Sequence, residues 1–176
     1  MFETILVPTD GSEHAKKAVV LAADIAGKYE ARLVLIHVMP KGPLPEDVRR
    51  MASVEGIASR STTGSAPLSP EGKFPASTIL GTKSESEAQT QKVHEFLAEN
   101  ILSDAKRVAR DKGVEEVSSV VADGDPAEQI LHCAEKEGAN LIVMGSRGLS
   151  DLKGLLMGSV SHKVSQLSRC SCVTVK

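Results

Sequence analysis

Gly145, Gly148 and Gly158 have a spacing that suits phosphate binding. Residues 145–161 read GSRGLSDLKGLLMGSVS and directly follow the apolar run LIVM. Glycine is used where a backbone must turn without a Cβ or where another group must approach closely. From Gly158 onward the chain is expected to begin a helix, whose first N–H groups attract anions. The pattern G-x2-G-x9-G-(S/T) therefore predicts a phosphate site, the alternative being glycines that serve only turns and a helix cap.

Charged and hydroxyl side chains in this segment would strengthen such a site. Arg147 or Lys153 would supply a cation, unless it points to solvent, and the hydroxyls of Ser159 and Ser161 would add donors. The segment lacks the Walker pattern G-x4-G-K-(S/T), and its glycine spacing differs from that of the dinucleotide fingerprint. A second polar segment, VPTDGS, follows the run ILV near the amino terminus. We expect Asp10 there to contact a ligand, although TDGS is also an ordinary turn sequence.

The histidines and cysteines predict no second kind of chemistry. His37 falls within an apolar run and is interpreted as a satisfied core or edge group, and the other histidines lie at helical positions without partner spacing: His14, His94, His132 and His162. Cys170 and Cys172 lack the second cluster that a zinc site needs, so we interpret them as alternate residues at a strand entry. Three cysteines without a disulfide framework indicate a reducing, cytoplasmic setting.

Apolar periodicity predicts the order βαβαβαβαβ for the elements that position these segments. Continuous apolar runs indicate strands buried on both faces, and the 3.6-residue period indicates helices. The predicted strands are 5–7, 33–38, 117–121, 141–144 and 172–175, and the predicted helices are 12–28, 87–113, 126–138 and one from 158 onward. The fold class is therefore α/β, an open, doubly wound, parallel five-stranded sheet with right-handed crossovers and a flavodoxin-like strand order. Ligands bind such sheets beyond the carboxyl ends of the strands, where the order reverses, so both polar segments would line one crevice.

A long segment interrupts this pattern. Residues 1–176 are predicted to form one domain with an insertion at about 42–86, because six of the eight prolines lie between Pro40 and Ser86 and no period persists there. The stretch EDVRRMASVEGIAS has room for a short helix, and the rest predicts a flexible connection. Such an insertion could cover the pocket, reach a partner or remain in solvent.

Composition excludes several classes of partner. A formal net charge of −2 provides no field for nucleic acid or an anionic membrane, and 2% aromatic residues provide few stacking surfaces for bases. The amino terminus has no signal-peptide pattern, and no apolar run approaches membrane-spanning length. We therefore expect a cytoplasmic protein that binds neither nucleic acid nor membrane.

The chain resembles the nucleotide-binding group of the universal stress protein family. ILVPTDGS, LIHV, LIVMGSRG and GSVSHKVSQLSRCSCVTV carry this resemblance, which extends over nearly the whole chain outside the insertion. It implies a fold like that of the adenine nucleotide alpha hydrolases, with ATP (or AMP or ADP) across the carboxyl edge of the sheet. The implied adenosine contacts are Pro8, Thr9, Asp10 and main-chain groups of Val38, those beside the ribose are Met144 and Gly145, and those around the phosphates are Arg147, Gly148, Gly158, Ser159, Val160 and Ser161. Mg²⁺ would be held mainly by phosphate oxygens and water.

The resemblance implies a module that reports stress or energy state by binding ATP and then alters the binding of a protein partner. It also implies a homodimer joined through the last strand, CVTV. A second hypothesis is a slow ATPase or phosphotransferase. No poised general base or in-line set of arginine and carboxylate is evident, so no catalytic residue is assigned and at most weak hydrolysis is expected. A third is a dimeric scaffold whose pocket is empty or holds AMP.

Overall fold

A parallel five-stranded sheet organises the part of the chain that the structure describes. The computed structural model describes residues 2–39, 83–149 and 157–176, with backbone only for 83–90. The elements are β1 (Thr4–Pro8), α1 (Glu13–Tyr29), β2 (Arg32–Met39), α2 (Lys83–Asp111), β3 (Val117–Asp123), α3 (Pro126–Glu137), β4 (Leu141–Gly145), α4 (Ser159–Leu167) and β5 (Ser171–Val175). The strand order is β3-β2-β1-β4-β5 and every pairing is parallel, which confirms the predicted α/β class with a parallel five-stranded sheet. The predicted flavodoxin-like order is wrong, because that order, 2-1-3-4-5, would place β3 between β1 and β4, whereas β1 pairs directly with β4 here.

The chain divides into two compact units. One comprises Met1–Lys41 with Ala98–Lys176 and contains the whole sheet. The other is Gly42–Leu97, of which the described part, residues 83–97, is helical. The predicted insertion was extended to residue 86, yet α2 begins at Lys83, because polar residues such as those in KSES can continue a helix without an apolar stripe to indicate it. The remainder of that insertion, including its suggested short helix, lies outside the described residues.

The central strand β1 is buried on both faces. Ile5, Leu6 and Val7 are fully buried, and their side chains alternate between two core clusters, one on each face of the sheet. Burying each such side chain contributes about 1.5 to 3 kcal/mol relative to leaving it in water. Continuous apolar runs therefore predicted these strands because both faces of a parallel sheet are covered by helices.

Helix ends follow the signals in the sequence. The Asp125 side chain accepts the N–H of Glu128 at 3.0 Å, Pro126 stands in the first turn, and α3 ends at Gly138, whose φ is 65°. Ser12 caps α1 through its hydroxyl, which accepts the N–H of Ala15. Each predicted start lies within one residue of the observed one for these two helices. Among the described residues, none of the helices has both the length and the apolar character needed to cross a bilayer.

Candidate functional site

The two polar segments lie side by side at the carboxyl edge of the sheet. β1 pairs with β4 through Ile5 and Leu141, so the loops that follow these strands are neighbours. One carboxylate joins them: Asp10 Oδ1 accepts the N–H of Ser12 at 3.0 Å, and Asp10 Oδ2 accepts the N–H of Leu149 at 3.0 Å. The strand order reverses here, as expected for a ligand crevice in an open parallel sheet.

The loop after β1 is fastened to β2. The Thr9 N–H donates to the Ile36 carbonyl at 2.9 Å, and the Thr9 carbonyl lies 2.8 Å from Nδ1 of the buried His37. Because a carbonyl only accepts, Nδ1 of His37 must carry the proton. This contact bears out the interpretation of His37 as a satisfied group. Gly11 then turns the chain toward α1 with a φ of 81°, a conformation that glycine adopts readily.

The loop after β4 is fixed at Ser146, a residue for which no local sequence pattern indicated a role. Ser146 is 1% exposed; its N–H donates to the Val175 carbonyl at 2.7 Å, and its own carbonyl accepts the N–H of Gly158 at 2.7 Å. The Ser161 hydroxyl donates to the same carbonyl at 2.8 Å. Both ends of the segment between β4 and α4 therefore converge on one buried residue.

The first turn of α4 is open to an anion. Gly158 precedes the helix in an extended conformation (φ −76°, ψ 159°) and provides no side-chain cap, and the first turn has no acidic residue. The first helical N–H with a backbone acceptor is that of His162, which donates to the Gly158 carbonyl at 3.0 Å. Within the described ranges, the N–H groups of Ser159, Val160 and Ser161 bond to no acceptor. Three donors at the positive end of a helix dipole form an arrangement that binds phosphate.

The hydroxyl of Ser161 contacts two carbonyls of the protein itself. It is 4% exposed and contacts the carbonyls of Ser146 at 2.8 Å and of Gly158 at 3.0 Å. Its single proton is therefore used within the protein, and donation of this hydroxyl to a ligand stays a prediction. Ser159 is exposed, so its hydroxyl has access to solvent.

The three glycines of the motif are required for different reasons. None has a positive φ, so backbone conformation alone does not demand glycine. A Cβ on Gly145 would lie 2.9 Å from the backbone of His14 and Ala15, and a Cβ on Gly148 would lie 2.5 Å from Asp10 Oδ2. A Cβ on Gly158 would come no closer than 3.5 Å, to the Ser146 carbonyl oxygen. The described part of the protein therefore leaves room for a side chain at residue 158. Because glycine has no side chain, the start of the helix is not covered at this position.

Arg147 and His14 lie together beside this loop. A terminal nitrogen of the half-buried Arg147 is 3.5 Å from His14 Nε2, and His14 Nδ1 is 3.1 Å from Ser146 Oγ. Because a guanidinium only donates, this contact is a hydrogen bond in the tautomer of His14 whose Nε2 accepts. No local sequence pattern indicated a role for His14, because its partners are more than 130 residues away. Lys153, the other predicted cation, lies outside the described residues.

The remaining predicted contacts are set deeper in the sheet. Pro8 ends β1 and pairs with Ile36, two residues before Val38 on β2. Val38 is half-buried, whereas Met144 is 3% exposed within the core, so only the backbone of Met144 can face a ligand. The structure thus gathers the predicted residues along one edge of β2, β1 and β4 and the start of α4.

Two other features lie apart from this edge. Cys170 and Cys172 pack against the same core cluster, and burial raises the pKa of the Cys172 thiol, which disfavours the thiolate that metals bind. A groove of about 470 Å³ lies where α3 ends and β5 begins, lined by residues that include Leu131, Glu135, Leu167 and Arg169. It contains none of the predicted site residues, and it opens near the amino ends of the strands.

Comparison with known proteins gives matches over the full chain. The model described as "Universal stress protein family" matches residues 1–176. Universal stress protein YxiE of Bacillus subtilis is 36% identical over 176 residues, which cover 100% of both chains. The solved structure of protein MJ0577, from Methanocaldococcus jannaschii, is 28% identical with a TM-score of 0.67 and covers 100% of this chain and 96% of that chain.

Two further structures of similar fold contain an adenine nucleotide. One is a universal stress protein in complex with cAMP, 22% identical with a TM-score of 0.58, covering 99% of this chain and 97% of that one. The other is the universal stress protein from Archaeoglobus fulgidus in complex with dAMP, 18% identical with a TM-score of 0.57, covering 100% and 98%. At these identities the likeness establishes a shared fold.

Proposed function

The chain belongs to the universal stress protein family, and we propose that it binds an adenine nucleotide, ATP foremost, at the carboxyl edge of its sheet. The observation that carries this proposal is the open first turn of α4, where three N–H groups without acceptors in the described chain follow an uncapped Gly158. A triphosphate is a suitable occupant because it brings concentrated negative charge and many acceptor oxygens.

The placement of the remaining nucleotide follows from the strands that flank this turn. In the proposed complex the phosphates contact Arg147, Gly148, Gly158, Ser159 and the N–H groups of Val160 and Ser161. The ribose lies beside the backbone of Met144 and Gly145. The adenosine faces Pro8, Thr9, Asp10 and the main chain of Val38. The preference for adenine is supported by the cAMP and dAMP complexes of the two fold neighbours.

A divalent ion would enter with the nucleotide. No group of three or more histidine, cysteine, aspartate or glutamate side chains with the arrangement of a metal site occurs among the residues described. We therefore propose that Mg²⁺ is coordinated by phosphate oxygens and water, which suits an ion that dehydrates reluctantly. The chemistry supplied by Mg²⁺ is charge neutralisation on the phosphates.

We propose that this site binds ATP without efficient hydrolysis. Asp10 is the carboxylate that the sequence predicts to lie near the ligand. Both of its oxygens already accept backbone N–H groups. Such a carboxylate holds loops in place, whereas in-line phosphoryl transfer needs a group that orients the attacking nucleophile. Occupancy of the site would then regulate a cytoplasmic protein partner, with weak ATPase activity and a nucleotide-independent scaffold as the competing functions.

Homodimer formation through β5 is part of this proposal. β5 lies at one end of the strand order and pairs only with β4 among the described strands, so its outer edge has unpaired backbone groups. Val173→Lys should convert dimers to monomers in sedimentation velocity, because a charged side chain on an edge strand opposes pairing. A dimer that persists in a folded Val173→Lys protein would reject this interface.

Calorimetry with ATP, ADP, AMP and GTP tests the nucleotide site. We expect ATP to bind and Gly158→Ala to weaken it at least about tenfold, while the melting temperature changes little because the described protein has room for that Cβ. Gly27→Ala is the matched control: it adds a methyl group within α1, 3.4 Å from the Lys112 carbonyl, and should leave the affinity unchanged. Absence of binding at millimolar ATP would favour the scaffold, and phosphate release that is lost in Gly158→Ala would favour the enzyme.

A further inference from the structure

We infer that Asp10 is a positioning residue for the loop after β4, and that its carboxylate is the reason why residue 148 must be glycine. The effect of this contact on nucleotide affinity rests on the proposed function. The coupling between Asp10 and Gly148 is independent of the proposed function, because it concerns the protein without ligand.

The Asp10 carboxylate connects two loops that are far apart in sequence. Oδ1 accepts the N–H of Ser12, which fixes the side chain against the start of α1. Oδ2 accepts the N–H of Leu149 at 3.0 Å, across 139 residues of chain. The loop after β4 is thus held at Ser146, by its bond to the Val175 carbonyl, and again at Leu149, by Asp10. Gly148 lies between these two attachment points.

The same carboxylate closes off the space at Gly148. The φ of Gly148 is not in the left-handed region, so alanine could adopt this backbone conformation. An added Cβ would nevertheless lie 2.5 Å from Asp10 Oδ2 and 3.6 Å from Asp10 Cγ, and among the described residues other than its two chain neighbours no further heavy atom lies within 4 Å. Oδ2 cannot retreat without lengthening its bond to Leu149. Within the described part of the chain, the steric demand for glycine at this position therefore comes from Asp10.

Gly145 is the matched comparison within the same loop. Its added Cβ would lie 2.9 Å from the His14 carbonyl carbon, the His14 Cβ and the Ala15 nitrogen, which belong to α1. Removing the Asp10 side chain creates no space there. Truncation of Asp10 should therefore relieve the effect of an added methyl group at Gly148 and leave its effect at Gly145, three residues away, unchanged.

A double-mutant cycle tests this inference on the full-length protein. Gly148→Ala should lower the melting temperature by roughly 2 to 10 °C and weaken ATP binding about tenfold. In an Asp10→Ala background, Gly148→Ala should cost nothing further in melting temperature, because the obstructing oxygen is gone. Gly145→Ala should be equally harmful with and without Asp10→Ala. Additive effects of Asp10→Ala and Gly148→Ala, or equal rescue of Gly145→Ala, would overturn the inference.

Asp10→Asn separates the volume of this side chain from its two-acceptor carboxylate. Asparagine keeps one acceptor oxygen and fills the same space, so it should not rescue Gly148→Ala. As a single substitution, with Gly148 unchanged, Asp10→Asn should retain more ATP affinity than Asp10→Ala. A purely steric role of Asp10 would not produce this graded response. Equal affinities of the two Asp10 variants would refute positioning by the carboxylate. If the wild type binds no ATP while the melting temperatures still show the cycle, the inference stands and the proposed function fails.

Discussion

Helices α3 and α4 begin in opposite ways. At α3, Asp125 caps the first turn, Pro126 has no N–H to satisfy, and Glu128 adds negative charge near the positive end of the dipole. At α4, Gly158 has no side chain to offer, and the first turn contains no acidic residue. An absent side-chain cap is therefore informative: the uncapped start of α4 is the observation on which the proposed nucleotide site depends.

The two helix starts are also physically connected. Lys163 of α4 lies 3.3 Å from Asp125 Oδ1 and 3.4 Å from Glu128 Oε1. The acidic cap of α3 therefore contacts the side of α4 one turn beyond its open end. Because these groups are exposed, their individual contributions to the free energy of unfolding are small.

The strongest way to break the contrast is to give α4 a cap like that of α3. Gly158→Asp would place a carboxylate beside the three N–H groups, where it would occupy them and repel phosphate. We expect ATP affinity to fall about a hundredfold, which corresponds to about 2.7 kcal/mol, while the melting temperature stays equal or rises. Calorimetry and thermal unfolding measure both quantities. Gly158→Asn is the neutral control and should bind ATP more tightly than Gly158→Asp; unchanged affinity in Gly158→Asp would mean that the phosphates bind elsewhere.

Removing the internal support of the open end should have an intermediate effect. Ser161→Ala deletes the hydroxyl that donates to the Ser146 carbonyl, and this should reduce the free energy of unfolding by about 1 kcal/mol. Nucleotide affinity should fall severalfold, because Gly158 and Ser146 lose a shared partner. Urea unfolding and calorimetry measure the two effects. Ser159→Ala, at an exposed position, should leave the stability unchanged; a loss of stability there as large as in Ser161→Ala would contradict this role.

Deleting the cap of α3 should affect stability alone. Asp125→Ala removes the acceptor for the Glu128 N–H and should lower the melting temperature by about 2 to 4 °C, with ATP affinity unchanged. Differential scanning calorimetry and titration with ATP measure these quantities. A loss of affinity comparable to that in Gly158→Asp would show that the two helix starts are not independent.

The smallest expected effect is on pH dependence. The N–H of Glu128, followed by the Lys163 ammonium, lowers the pKa of Asp125 below its ordinary value of about 4. A carboxylate with a lowered folded pKa contributes stability above its unfolded pKa and loses it as the pH falls through the folded pKa. The difference in urea midpoint between wild type and Asp125→Asn should therefore shrink between about pH 5 and pH 2. A difference that is constant over this range would exclude the linkage.

The sequence was sufficient for the helices, the strands and the parallel sheet, but not for the strand order, since periodicity does not say which strands pair. Continuous apolar runs and the signals at Asp125, Pro126 and Gly138 depend on local physics, so they could be interpreted without a structure. The contacts of His14 with Ser146 and Arg147, and of Asp10 with Leu149, join residues more than 130 positions apart. No local pattern indicates such pairs, since each side chain is ordinary for its own segment.

The hydroxyl of Ser161 shows what the sequence could not determine about the predicted site. Serine at the start of a helix is as suited to an external phosphate as to an internal carbonyl, and the sequence cannot distinguish the two. Only the position of the Ser146 carbonyl, 2.8 Å away, decides between them. Whether the other predicted contacts touch a nucleotide stays a prediction for the experiments above.

The bond between the Ser146 N–H and the Val175 carbonyl has a mechanical consequence. Any movement of Ser146 must either stretch this 2.7 Å bond or displace the end of β5, the strand at the margin of the sheet. A displacement of Ser146 on ligand binding would thus be passed through a single hydrogen bond to Val175, at the end of β5. A fluorophore attached at the exposed Lys176 is the natural place to record that signal in solution.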